Sequence, residues 1–301
     1  MKILPIAFDS LGTRSMACLI ITNDKKIFID PGVSLAPIRY GLQPHSIELK
    51  KLEEHWKKIV ETAKQSDILI ITHYHYDHHN PWENLEIYDK KIVLIKHPTQ
   101  KINFSQKKRA SFFIEKIKGL PECLEYADEK EFKFGKIEVA FSEPVFHGTN
   151  PKLGLVIEVL IKEGKESFIF TSDVEGPAIE SQADFILENK PDYLIVDGPM
   201  TYMLGYRYSY EDFQVSIQNL IKFVEEICPK FLILDHHLLR DLKYREKIMP
   251  VIKIGERYGT KVLTAAEFLN KDVEMLEAKR KELYQKYPES NIKEWKRVFE
   301  E

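Results

Sequence analysis

The chain contains one stretch that severely limits how it can fold. The run Asp67-Ile68-Leu69-Ile70-Ile71 passes directly into Thr72-His73-Tyr74-His75-Tyr76-Asp77-His78-His79. The run is short, continuously apolar and β-branched, which is the composition of a strand buried on both faces. Polar side chains as dense as those that follow are costly to bury without partners. The strand must therefore end at an edge of the scaffold, where a loop can display functional groups. Four imidazoles and a carboxylate within residues 73–79 supply nitrogen and oxygen donors suited to Zn, Mn or Fe, and neutral histidine is the commonest protein ligand for such ions.

The same arrangement recurs downstream. His147, in Pro144-Val145-Phe146-His147-Gly148, follows the strand-like run 136–141. Asp173 follows Phe168-Ile169-Phe170-Thr171-Ser172, Asp197 ends Tyr193-Leu194-Ile195-Val196, and Asp235-His236-His237 ends Phe231-Leu232-Ile233-Leu234. A lone His or Asp after a strand is common, but their order along the chain gives the set its weight.

The pattern His73-x-His75-x-Asp77-His78 resembles the signature of the metallo-β-lactamase-fold superfamily. The resemblance implies His147 as the third histidine, Asp173 as an aspartate bridging two metals, and His236 as the last ligand. His236 is preferred to His237 because Asp-His-His-Leu-Leu-Arg is similar to the Thr-His-Phe-x-x-Arg form of the nuclease branch, which also singles out Arg240. It further implies two divalent cations, Zn first with Mn or Fe as alternatives. His73, His75 and His147 would hold one, Asp77, His78 and His236 the other, with Asp77 and Asp173 essential to catalysis and a bridging hydroxide as the attacking group. The implied fold is the αββα sandwich, an α+β architecture in four layers with the ligands on one edge. The Tyr-rich form His-Tyr-His-Tyr-Asp-His-His resembles a group of uncharacterised archaeal predicted hydrolases, which supply no substrate.

The chain of 301 residues is expected to form a single domain, with covering helices over about 265–301. Its 44% hydrophobic and 30% charged residues, with a net charge of −3, describe a globular protein without an overall basic field. The abundance of Lys, Glu and Ile is similar to hyperthermophile composition. Cys18, Cys123 and Cys228 lie far apart, outside any ligand spacing. No signal peptide is recognised, and no apolar run reaches the roughly 18 residues of a membrane span, so the expected address is the cytoplasm.

Strands are expected over 3–8, 17–22 and 26–30. The third ends in Asp30-Pro31-Gly32, where Asp30 reads equally as a turn residue or as support for the metal loop. In the loop 9–15, Arg14 is a candidate for an anionic substrate. A helix over 46–65 should be capped by Ser46 and carry a solvent-facing His55. Another strand covers 91–96, with His97 after it as a candidate outer group. A hairpin joins 155–161 to 167–171, a helix covers 177–189, and Met200 to Tyr210, with Arg207, should line an entrance. Further helices are expected from Ser209, over 241–258 and over 265–301. Residues 101–118 hold Lys101, Lys107, Lys108, Arg109, Lys116 and Lys118 against the single acid Glu115, with Phe104, Phe112 and Phe113 interleaved. They read either as a solvated helix with its aromatics in the core or as a pointer to a phosphate-bearing substrate.

Three functions follow: a metal-dependent hydrolase of undefined substrate, a nuclease or phosphodiesterase of the RNase Z kind acting on RNA or a small phosphodiester, and a non-catalytic metal-binding protein. Asp30, Asp197, His237, Arg240 and Arg14 are the candidates for groups that support the ligands or touch substrate.

Overall fold

The computed structural model describes residues 1–288. The first sheet contains β1 (Lys2–Phe8), β2 (Met16–Ile21), β3 (Lys26–Ile29), β4 (Ile68–Ile71), β5 (Ile92–Ile95) and β6 (Cys123–Tyr126), in that order. β1 to β3 form an antiparallel meander, and β3 to β6 run parallel. The chain then forms β7 (Glu131–Phe134), β8 (Ile137–Phe141) and a small ladder of β9 (Val145–Phe146) with β10 (Leu155–Val156). It continues through β11 (Val159–Glu163), β12 (Glu166–Phe170), β13 (Tyr193–Asp197), β14 (Phe231–Asp235) and β15 (Lys261–Leu263). The second sheet has the order β15-β14-β13-β12-β11-β8-β7, parallel through β12 and antiparallel beyond it.

Helices α1 (Ser46–Lys64) and α2 (Phe104–Ile117) cover the first sheet. α3 (Ser181–Asn189), α4 (Tyr210–Ile227), the short α5 (Tyr244–Lys247) and α6 (Met249–Tyr258) lie with the second. The strand period of two divides the apolar residues between layers. Ile68 and Ile70 of β4 meet Phe168, Phe170, Ile195 and Ile233 between the sheets, while Leu69 and Ile71 pack under Leu52, Trp56, Ile59 and Phe113 of the helices. Both faces of β4 are covered, so its sequence is apolar without alternation. The result is the expected four-layer αββα sandwich.

Several local expectations are corrected. His45, not Ser46, caps α1: its Nδ1 accepts from the Ile47 N–H at 3.2 Å while Glu48 accepts from the His45 N–H at 2.9 Å. His55, expected to face solvent, is buried 2.7 Å from the hydroxyl of Thr13, in the loop after β1. The expected 155–161 strand divides into β10 and β11, and the expected helices over 177–189 and 241–258 begin at 181 and 244. Of the α2 aromatics only Phe113 enters the core; Phe104 and Phe112 face outward.

The covering segment is less helical than its charge pattern suggests. Among the described residues it holds only α7 (Ala265–Phe268) and α8 (Arg280–Lys286); residues 289–301 of that expectation lie outside them. It is pinned by Arg280, fully buried, which donates to both oxygens of Glu48 at 2.8 Å and to the Ala36 and Leu42 carbonyls. No helix among the described residues is long and apolar enough to cross a membrane.

Candidate metal centre

β4 delivers Thr72 and the histidine loop to the edge shared by the two sheets. The Thr72 hydroxyl donates to Asp30 Oδ2 at 2.6 Å, and the Ile157 N–H donates to the Thr72 carbonyl at 3.2 Å, joining the loop to both halves. Gly32 is required where this loop passes: a Cβ there would stand 2.2 Å from the His79 nitrogen and 2.4 Å from the His78 carbonyl carbon. At three of the strand ends the chain turns through the left-handed region on a non-glycine residue, Asp30 (φ 49°), Ser172 (φ 57°) and His236 (φ 58°). Such geometry costs about 1 kcal/mol or more each and persists only where the surroundings enforce it.

Two groups of donor atoms form at this edge. His73, His75, His147 and Asp173 have ligand atoms within 4.8 Å of one another, and so do Asp77, His78, Asp173 and His236. Asp173 belongs to both. Its Oδ2 lies 3.2 Å from His147 Nε2, 3.3 Å from His236 Nε2 and 3.6 Å from His73 Nε2, and its Oδ1 lies 3.0 Å from His78 Nε2.

The opposite ring nitrogens are held from behind. Nδ1 of His78 meets Asp30 Oδ2 at 2.8 Å, Nδ1 of His236 meets Asp9 Oδ2 at 2.7 Å, and Nδ1 of His73 meets the Ser172 hydroxyl at 3.2 Å. Carboxylates placed there fix the tautomer and aim Nε2 into the cluster. The inward atoms have no partners outside the cluster: His73 Nε2, His78 Nε2 and Asp173 Oδ1 are buried and face one another, His78 Nε2 and Asp173 Oδ1 at 3.0 Å. Buried polar atoms left unpaired carry a free-energy cost, and a cation among them would relieve it. The donor set therefore fits divalent metal ions.

Burial, helped by neighbouring histidines, pushes His73 and His75 well below the ordinary imidazole value, so both are neutral and have a lone pair to donate. His78 differs. Burial opposes its charge, yet Asp173, Asp30 and Asp77 outweigh burial and raise it to about 10. Burial also works against ionisation of Asp173, but His78, His236 and His73 hold it well below the usual carboxylate range.

With this geometry in place, likeness to known proteins can be read. Residues 25–237 match the family described as the beta-lactamase superfamily domain. The chain is 55% identical over 298 residues to a UPF0282 protein of Korarchaeum cryptofilum, covering 98% of this chain and 99% of that one. This chain belongs to the beta-lactamase superfamily and to its UPF0282 group. A UPF0282 protein of Metallosphaera sedula is 50% identical over 94% of this chain and 93% of its own length. Among solved structures, the fold is similar to that of "a possible metal-dependent hydrolase from Veillonella parvula" (TM-score 0.51, 15% identity, 83% of this chain and 94% of that one). It is also similar to an isothiocyanate hydrolase from Delia radicum gut bacteria (TM-score 0.53, 13% identity, 84% and 94%).

In this UPF0282 chain a cavity of about 660 Å³ opens over the cluster, with His75, Asp77, His147 and Asp173 among its lining residues. His237 lines the cavity too but stands outside both donor groups: its Nδ1 meets Asp197 Oδ2 at 2.9 Å and its N–H donates to Asp197 Oδ1 at 3.0 Å. Asp197, wholly buried, thus braces His237 and the Glu175 N–H. Arg240 donates from Nε to Asp9 Oδ1 at 3.0 Å, and Arg14 donates to both oxygens of Glu277 at 2.5 and 2.7 Å, so both arginines reach the cavity already paired. Met200, Tyr202 and Arg207, expected at an entrance, are among the residues lining the cavity. His97 is not brought to the centre; it accepts from the Thr99 and Gln100 N–H groups and lies tilted against the Tyr126 ring. His79 points into an aromatic pocket of Tyr74, Tyr76 and Phe113.

Two supporting acids were not singled out from sequence. Asp9 bridges His236 and Arg240, and its signal was available: it follows β1 just as Asp30 follows β3. Glu175 lies 3.6 Å from His147 Nδ1 and 3.7 Å from His237 Nε2. Its only signal is indirect, Gly148, where a Cβ would stand 2.3 Å from Glu175 Oε2.

Proposed function

We propose that this chain is a hydrolase with two divalent cations, zinc first. His73, His75 and His147 hold one, Asp77, His78 and His236 the other, and Asp173 serves both. The observation that carries this reading is the position of Asp173 in both donor groups, with its Oδ1 and the Nε2 atoms of His73 and His78 buried and turned toward one another. Two ions so placed supply an activated water at neutral pH and stabilise negative charge on the attacked group. The chain's own residues do the rest. Asp30, Asp9 and Ser172 keep three imidazoles aimed inward, which preserves the geometry between turnovers. Asp77, in the cavity lining, stays ionised because His78 and His236 outweigh its burial. Arg109, Arg207 and Tyr202 line the same cavity and face whatever the substrate carries away from the scissile bond.

A phosphodiester substrate is the second reading, favoured by the arginines in that lining. Elemental analysis of the purified protein should give close to two metals per chain, and the loaded protein should hydrolyse at least one of bis-aryl phosphodiesters, RNA, lactones and thioesters. A preparation free of metal with all ligands intact would remove the mechanism; a loaded but inert protein would favour the non-catalytic reading.

A further inference from the structure

Helices α1 and α2 cover the same sheet, yet their outer faces differ in kind. α1 matches five cations with four acids and exposes no large apolar side chain; residues 104–118 set five cations against one acid. On α2, Phe104 is 73% exposed and Phe112 is 37% exposed, as is nearby Trp82. Among the described residues Lys107, Lys108, Arg109, Lys116 and Lys118 enter no ion pair, whereas neighbouring Lys101 is neutralised by Glu129 and Glu143.

The rings and cations alternate. Lys108 Nζ lies 4.8 Å from the Phe104 ring centre, Lys116 Nζ lies 5.2 Å from that of Phe112, and the Arg109 guanidinium lies 4.8 Å from that of Tyr76. The rings also connect: Phe112 to Trp82 at 6.1 Å and Trp82 to Tyr76 at 4.4 Å between centroids. Tyr76 and Arg109 line the cavity over the donor cluster, and Arg109 Nε is buried there without a partner. The ribbon therefore begins on open surface and ends at the site. From residue 104 to 116 it rises about 18 Å along the helix, room for a few nucleotides.

We propose that this ribbon is a docking track for single-stranded nucleic acid, leading its backbone into the cavity. Exposed rings offer stacking platforms that every base can use, and unpaired cations beside them meet the phosphates. A duplex would shield its bases from the rings. A membrane surface would call for rings free to insert, and here Phe104, Phe112 and Tyr76 each hold a cation within 5.2 Å of the ring centre. The proposal rests on the hydrolase reading for its destination, not for binding itself.

The test separates the two. Fluorescence anisotropy on the full chain, with EDTA present to hold cleavage off, uses a labelled 12-mer of single-stranded RNA, its DNA counterpart, the matching duplex, polyglutamate, and phosphatidylserine vesicles. Single strands should bind best, with affinity falling steeply as salt rises. Phe112→Ala and Trp82→Ala should each weaken binding by about tenfold. Lys108→Glu with Lys116→Glu should flatten the salt dependence by about one ion for each phosphate that no longer meets a cation. These positions are exposed, and circular dichroism verifies that the variants fold. No binding, binding indifferent to Phe112→Ala, or preference for duplex, polyglutamate or vesicles would each overturn the proposal. Binding without cleavage by the metal-loaded protein would leave the track standing and count against the hydrolase reading alone.

Discussion

The two halves of the donor cluster are built in opposite ways. The first half is a single loop: His73, His75, Asp77 and His78 all follow β4, and one acid at the end of a neighbouring strand, Asp30, braces it. The second half is assembled from three separate places, His147 beyond β9, Asp173 beyond β12 and His236 beyond β14. Its brace also comes from a distance, since Asp9, behind His236, lies in the turn just after β1 and 227 positions away in sequence. The first half comes from consecutive residues, the second from strand ends far apart in the chain, and contacts of Thr72 and His73 with Ser172 join the two.

Asp173 is where the comparison breaks most completely. Asp173→Ala removes the group common to both donor sets, and hydrolysis should fall by about a thousandfold or more with metal content dropping below two per chain. A variant that keeps both metals and its activity would show that the halves do not depend on a shared residue.

The braces should give a smaller and more discriminating effect. Asp30→Ala and Asp9→Ala each free one imidazole, and loss of such a group costs about 10–100-fold in metal affinity or activity. Asp9→Ala should also release Arg240, which Asp9 holds at 3.0 Å, so it should lower activity further than Asp30→Ala at saturating metal. Metal titration beside kinetics measures both, and equal losses would make the halves equivalent.

The smallest effect tests how the first half supports the second. His55 holds Thr13 in the loop that follows Asp9. Burial, reinforced by Lys51, Lys58 and Lys271, lowers His55 from its ordinary 6.5 to about 3. Between these values the unfolded chain binds the proton and the folded chain does not, so stability declines as pH falls from about 6.5 toward 3. The loss is on the order of a few kcal/mol. His55→Gln should flatten that part of the profile of urea midpoint against pH. An unchanged slope would place the acid sensitivity elsewhere.

Much of the architecture was legible because its signals are local. Continuous apolar runs marked the strands of a sheet covered on both faces, and each ended where a donor was expected. Segments whose form depends on distant contacts were harder. The covering segment after Ala265 carries helical charge patterning, but among the described residues only Ala265–Phe268 and Arg280–Lys286 are helical, and Arg280 is fixed by Glu48, 232 positions away. His55 reads as exposed from its charged neighbours, yet a helix buries one face whatever flanks it. Phe104 and Phe112 read either as core or as part of a polyanion-binding patch, since nothing in their spacing shows that α2 already fills its contact with Phe113 and Ala110.

The sequence by itself determined the apolar strand runs, the loop of residues 73–79 and the identity of the side chains that end each strand, because these are written in consecutive residues; the four-layer fold came from the resemblance those residues carry. Only the tertiary structure decided which of those ends converge, that Asp173 stands between the two donor groups, that His236 turns inward while His237 leans on Asp197, and that Asp9 stands behind His236. Those outcomes depend on distances between residues far apart in the chain, which arise when two sheets bury their shared face.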